Sequence, residues 1–141
     1  MRFFLYGTLM TDAGTRMGDW IGERLVAATP ARIPGRLIAI ETATGWFPAL
    51  LPGRGGVGVR GTLAELRLGP GELALLDRYE GREYRRVRTV ARTDCGQVRT
   101  AQVYRWQVAV PPGAPGISDG DFLGWLDRTG NRAFTELRNG V

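Results

Sequence analysis

The 141-residue sequence has no histidine and no lysine; all 19 of its basic residues are arginine, and it has one cysteine. Each gap removes a mechanism. Without histidine, neither a Ser-His-Asp nor a Cys-His nucleophile system can be assembled within the chain. Without lysine there is no Schiff base. Cys95 has no internal disulfide partner, and a zinc or copper site lacks the histidines or multiple thiolates it needs. A carboxylate-bound magnesium or calcium stays open, but no Asp-rich loop of EF-hand spacing appears. No metal or cofactor is therefore expected, and any proton chemistry must come from Asp, Glu, Tyr or Cys95. An apolar run long enough to cross a bilayer is also missing. Phe3, Phe4 and Leu5 are cut off at once by Tyr6-Gly7-Thr8, too early for a signal-peptide core. These gaps predict a cytoplasmic protein with no membrane partner.

The 43% of hydrophobic residues is ordinary for a globular protein, and the length suits one domain over 1–141 with one core. The net charge is +5. A basic surface can attract nucleic acid. Here no recognised motif accompanies the charge, and a coding bias toward Arg, Gly and Ala accounts for it as simply. A nucleic-acid partner is not expected.

Along the chain, Arg2 to Tyr6 reads as an aromatic-rich strand ending in Gly7. Thr11 to Leu25 carries a weak helical period through Met17, Trp20, Ile21 and Leu25, diluted by glycines. Gly35 to Ile40 and Val57 to Leu66 read as strands. Between them lies Gly45 to Leu50, where Pro48 argues against a central strand. Pro70 to Tyr79 is the clearest helix, with Leu73, Leu76 and Glu80 on one side and Gly81 as its stop. Tyr84 to Arg92 alternates, Arg86, Arg88 and Arg92 against Val87, Thr89 and Ala91, as a strand with one wet face does. Val98 to Trp106 is its antiparallel partner across Thr93-Asp94-Cys95-Gly96. Pro111 to Gly116 reads as a linker into a helix from Ser118 to Arg128, where Ser118 and Asp121 suggest a capping box. The order predicts an α+β domain with a mixed or antiparallel sheet.

Three places could carry chemistry. Glu80 ends a helix, where the dipole disfavours a carboxylate by about 0.3–1 kcal/mol. It also falls on the buried side. Both effects would raise its pKa toward the range a general base needs. From geometry alone, a surface Glu paired with Arg78, Arg82 or Arg85 is the plainer reading. Tyr6-Gly7-Thr8-Leu9 could present successive N–H groups as an anion nest, or be a plain turn. Cys95 follows Asp94, whose charge raises a thiol pKa, so a nucleophile is not expected there. Tyr84 and Tyr104 read as core or pocket wall, Trp46, Trp106 and Trp125 as core, and the arginine row as a solvated face.

Five segments, in order, resemble the γ-glutamylcyclotransferase-like (AIG2-like) family. They are Phe4-Leu5-Tyr6-Gly7-Thr8-Leu9; Phe47-Pro48-Ala49-Leu50 with Pro52-Gly53; Val59-Arg60-Gly61-Thr62-Leu63; Leu76-Asp77-Arg78-Tyr79-Glu80-Gly81 with Tyr84-Arg85-Arg86; and Ala101-Gln102-Val103-Tyr104. The resemblance covers about residues 3–106, leaving a C-terminal helical segment, 117–138, without a motif. It implies a small barrel-like sheet with flanking helices and a pocket at one end. It implies release of 5-oxoproline from a γ-glutamyl amine or amino acid, without a cofactor. By the same resemblance Glu80 is the acid/base, the backbone of Tyr6, Gly7, Thr8 and Leu9 holds the substrate's α-carboxylate and α-amine, and Tyr84 lines the pocket. Two other readings remain: a non-catalytic small-carboxylate-binding protein on the same scaffold, and a basic nucleic-acid-binding module.

Overall fold

Phe3 and Phe4 are adjacent in the chain yet belong to different cores, because successive strand residues point to opposite faces. The computed structural model describes residues 1–7 and 16–134. Its strands are β1 (Arg2–Leu5), β2 (Leu25–Ile33), β3 (Arg36–Thr42), β4 (Gly45–Leu51), β5 (Val59–Leu66), β6 (Tyr84–Thr93), β7 (Val98–Trp106) and β8 (Gly116–Ile117). Its helices are α1 (Arg16–Arg24), α2 (Glu72–Glu80) and α3 (Phe122–Thr129). Strands β1-β5-β2-β6-β7 close into a barrel, and β4-β3-β8 form a separate small sheet. The barrel is antiparallel except at its seam, where β1 runs parallel to β7 with Phe3 opposite Gln102. The fold is α+β, with a barrel-like sheet and helices against it.

Phe4, Ala31, Ile33, Val59, Leu63, Ala91, Ala101 and Val103 fill the barrel, and α3 adds Phe122 and Trp125 to that core. The opposite faces of β1, β5 and β7 contribute Phe3, Leu5, Ala64, Leu66 and Tyr104 to a second core with Met17 and Ile21 of α1 and Leu76 of α2. Gly61 explains itself here. A Cβ at that position would overlap the Leu5 carbonyl oxygen and sit 2.7 Å from the Phe4 ring, so the strand passes β1 only without a side chain.

Residues 45–51 form an edge strand, not a central one, as Pro48 implied, and its missing donor goes unused there. Several expectations need correction. The helix expected from Thr11 is seen from Arg16 to Arg24; residues 11–15 lie outside the described ones. The 117–138 stretch is not one helical segment. Gly116–Ile117 pairs with β3, α3 spans Phe122–Thr129, Ala133 bridges to Trp46, and 135–138 lie outside the described residues. The cap of α3 is Asp121 itself, whose side chain accepts from the Gly124 N–H; Ser118 is in the preceding turn.

Candidate functional site

Helix α2 carries two carboxylates three residues apart, Asp77 and Glu80, on the side anchored by the fully buried Leu76. Both ends of the helix are fixed. At its start, Glu72 Oε1 accepts from the Gly69 N–H at 2.6 Å, and Glu72 Oε2 accepts from the Arg24 guanidinium of α1. That guanidinium lies 4.0 Å over the Trp20 ring. At its end, the Gly81 N–H donates back to the Asp77 carbonyl. Glu80 is therefore the last residue of a tethered helix, half-buried.

Its charge acts on two buried tyrosines. Tyr6 ends the run from β1 and donates its hydroxyl to the Tyr104 carbonyl at 2.5 Å. Tyr104, on β7, donates its hydroxyl to Asp77 Oδ1 at 2.7 Å. Burial, and then the Glu80 charge, hold the Tyr6 phenol well above its ordinary pKa, with a backbone contact to Leu50 opposing. Burial, the hydrogen bond to Asp77 and the charges of Asp77 and Glu80 do the same for Tyr104, with Arg86 opposing. Both phenols thus stay protonated, and both protons are committed to acceptors other than Glu80. Asp77 also accepts from Arg86 Nε at 2.9 Å, and Arg86 donates on to Gln102 Oε1 at 2.9 Å.

Gly7 follows Tyr6 directly, and a Cβ there would touch the Pro48 ring at 3.4 Å. The carbonyl of Pro48 accepts the Tyr84 hydroxyl at 2.7 Å. Tyr84 packs edge-on to Trp106, with Phe47 against both rings. The Glu80 charge thus reaches Tyr6, Tyr6 leads into Gly7, and Gly7 meets Tyr84 through Pro48. Thr8 and Leu9 lie outside the described residues.

Sequence reasoning missed Asp77, Arg86, Tyr104 and Gln102 as a connected set. Arg86 is not a plain solvated arginine; it is held under α2 by Asp77. The available signals were the three-residue spacing of Asp77 and Glu80 and the hairpin register that places Arg86 opposite Tyr104. Cys95 also needs correction. Its thiol pKa is lowered, chiefly by a hydrogen bond with Thr93 and then by the Gln97 backbone, which together outweigh the opposing Asp94 charge. Among the described residues no group of three or more Cys, Asp or Glu could hold a metal. Two open clefts of about 330 and 180 Å³ share Arg2 and Glu65 at the other end of β1, and Glu80 lines neither.

The phenols make stability sensitive to alkali. Each folded-state pKa exceeds the unfolded value of about 10, so the folded protein holds these protons more tightly. The contribution is complete below about pH 10 and is lost as pH rises further, by up to about 1.4 kcal/mol per pH unit per phenol. Urea midpoints measured across that range should fall less steeply in Tyr6→Phe and in Tyr104→Phe. Parallel curves for wild type and both variants would contradict this.

The family model for gamma-glutamyl cyclotransferase, AIG2-like, matches residues 3–125, from β1 into α3. Three solved structures share the fold. A protein of Arabidopsis thaliana solved in solution has a TM-score of 0.64 at 21% identity, covering 92% of this chain and 82% of that one. YkqA from Bacillus subtilis has a TM-score of 0.65 at 20% identity, covering 92% of this chain and 42% of its own. A structure described as gamma-glutamyl cyclotransferase has a TM-score of 0.58 at 15% identity, covering 96% and 90%. At these identities the likeness concerns the fold. No curated protein matches the chain. Among the described residues no helix is long and apolar enough to cross a membrane.

Proposed function

The chain belongs to the AIG2-like gamma-glutamyl cyclotransferase family, and on that premise we propose that it releases 5-oxoproline from a γ-glutamyl amine or γ-glutamyl amino acid, with Glu80 as its acid/base. One observation supports the reading: a half-buried carboxyl group ends a tethered helix, and its charge acts on the buried phenol of the tyrosine that leads into the Gly7 bend. In this reaction the substrate's α-amine nitrogen attacks its own γ-carbonyl carbon, and the γ C–N bond breaks. The enzyme must fold the substrate so that the two meet, a proximity effect. It must also take a proton from the α-ammonium and return one to the leaving amine, which a single carboxyl group can do in sequence. No lysine, histidine, metal or water nucleophile enters, in keeping with the composition.

In this proposal the backbone from Tyr6 through Gly7, Thr8 and Leu9 receives the α-carboxylate and α-amine, and Tyr84 walls the pocket. The whole of 1–141 acts as one domain in the cytoplasm. Purified protein incubated with a panel of γ-glutamyl amines and γ-glutamyl amino acids should release 5-oxoproline and free amine in equal amounts. An N-acetylated γ-glutamyl substrate, its amine blocked, should not react. Release of glutamate in place of 5-oxoproline, or of neither, would overturn the proposal.

A further inference from the structure

The barrel register sets three arginines side by side. Arg60 on β5 is the direct cross-strand partner of Arg32 on β2, and Arg32 is the direct partner of Arg92 on β6. Their chain neighbours Val59, Ala31, Ile33 and Ala91 point into the barrel core, so the arginines point outward. Arg88 alternates to the same face of β6 and is exposed. Adjacent strands lie about 4.8 Å apart, and like charges placed directly opposite repel.

Among the described residues no ion pair offsets that repulsion. None of the four arginines forms an ion pair there. Arg32 donates to the Val57 carbonyl at 3.2 Å, a neutral partner. Asp94, in the hairpin turn just past Arg92, is exposed and forms no ion pair among the described residues. Helices α1 and α2 pack on the faces of Phe3, Ala64, Leu66 and Tyr104, and α3 packs into the barrel core, so no described helix covers the row. The chain as a whole adds a net charge of +5.

We propose that this face binds the phosphate backbone of a nucleic-acid duplex, with Arg60, Arg32 and Arg92 each on a phosphate. Three features select that occupant. The guanidinium fork matches phosphate oxygens in a paired geometry. The row runs across the outward face of three adjacent strands, which suits an extended polyanion over a small one. The outward residues around it, Ala28, Pro30, Val90, Val98 and Thr100, include no aromatic ring on which unpaired bases could stack. Such contacts position a duplex without reading its sequence. No sequence motif announces this surface, and it does not depend on the role of Glu80.

Fluorescence anisotropy with a short labelled DNA duplex, titrated at a series of salt concentrations, tests the proposal. For three phosphates, log K should fall against log salt with a slope of about −2.7. Arg92→Gln should make that slope shallower by about 0.9, and so should Arg32→Gln and Arg60→Gln singly. Arg78→Gln, an exposed position on α2, should leave it unchanged. Circular dichroism checks that each variant is folded. A slope untouched by all three single substitutions overturns the proposal. So does equally tight binding of polyglutamate at the same salt, which would assign the face to an acidic protein.

Discussion

Glu80→Gln should slow 5-oxoproline release by about 10²- to 10⁴-fold, the usual worth of a positioned acid/base, with little change in KM or in melting temperature. Glutamine keeps the shape and one acceptor oxygen but cannot exchange protons. Because Glu80 ends α2 and the helix is held by Leu76, the Arg24–Glu72 pair and the Gly81 cap, the exchange should not unravel it. The loss should therefore fall on kcat. Tyr6 and Tyr104 cannot substitute as proton carriers, since burial and the nearby carboxylates keep both phenols protonated and their hydroxyls are already donated elsewhere. Glu80→Asp draws the carboxyl back by one methylene and should recover only part of the rate. Turnover by Glu80→Gln within a few-fold of wild type would remove the residue from the mechanism while leaving open whether the protein cyclises γ-glutamyl compounds, which the substrate panel answers separately.

The parts legible in the sequence were those with local signals. The alternation of Tyr84 to Arg92 and of its partner Val98 to Trp106 appears as β6 and β7, paired across the Thr93 to Gly96 turn. The Leu73, Leu76, Glu80 period appears as α2, with Gly81 closing it. Strand β2 escaped notice for a physical reason. Val26, Ala27 and Ala28 are all exposed, so small apolar residues occupy both faces and no period-two pattern forms. Pro30 also interrupts it, yet β6 pairs with β2 only at Ala31 and Arg32, so the missing N–H has no donor role there. Site contacts were hidden in another way. Asp77, Arg86, Tyr104 and Gln102 are joined by register and packing between elements, which no local window contains. The motif resemblance drew attention to Glu80; it did not disclose what holds Glu80 in place.

The largest loss of stability from a single added methyl group is expected at Gly120, in the turn that leads from β8 into α3. This residue is buried with a left-handed φ of 67°. Its N–H donates to the Ile117 carbonyl at 3.0 Å, and its carbonyl accepts from the Arg60 N–H at the start of β5 at 2.8 Å. The backbone is thus fastened on both sides. A Cβ would overlap the Gly58 carbonyl oxygen and approach the Val59 Cα to 3.0 Å, and those are backbone atoms that cannot swing aside. Gly120→Ala should combine the left-handed penalty of about 1–2 kcal/mol with overpacking of about 1–3 kcal/mol, for a total of about 2–5 kcal/mol. That is a large share of the roughly 5–15 kcal/mol that holds a domain folded. Gly130→Ala supplies the comparison, since Gly130 has a similar φ of 70° but no atom near its missing Cβ. It should lose only the conformational part, about 1–2 kcal/mol. Urea midpoints of the two variants separate the terms: equal losses would mean that the turn yields and that α3, with Phe122 and Trp125 in the barrel core, is not rigidly docked against β5.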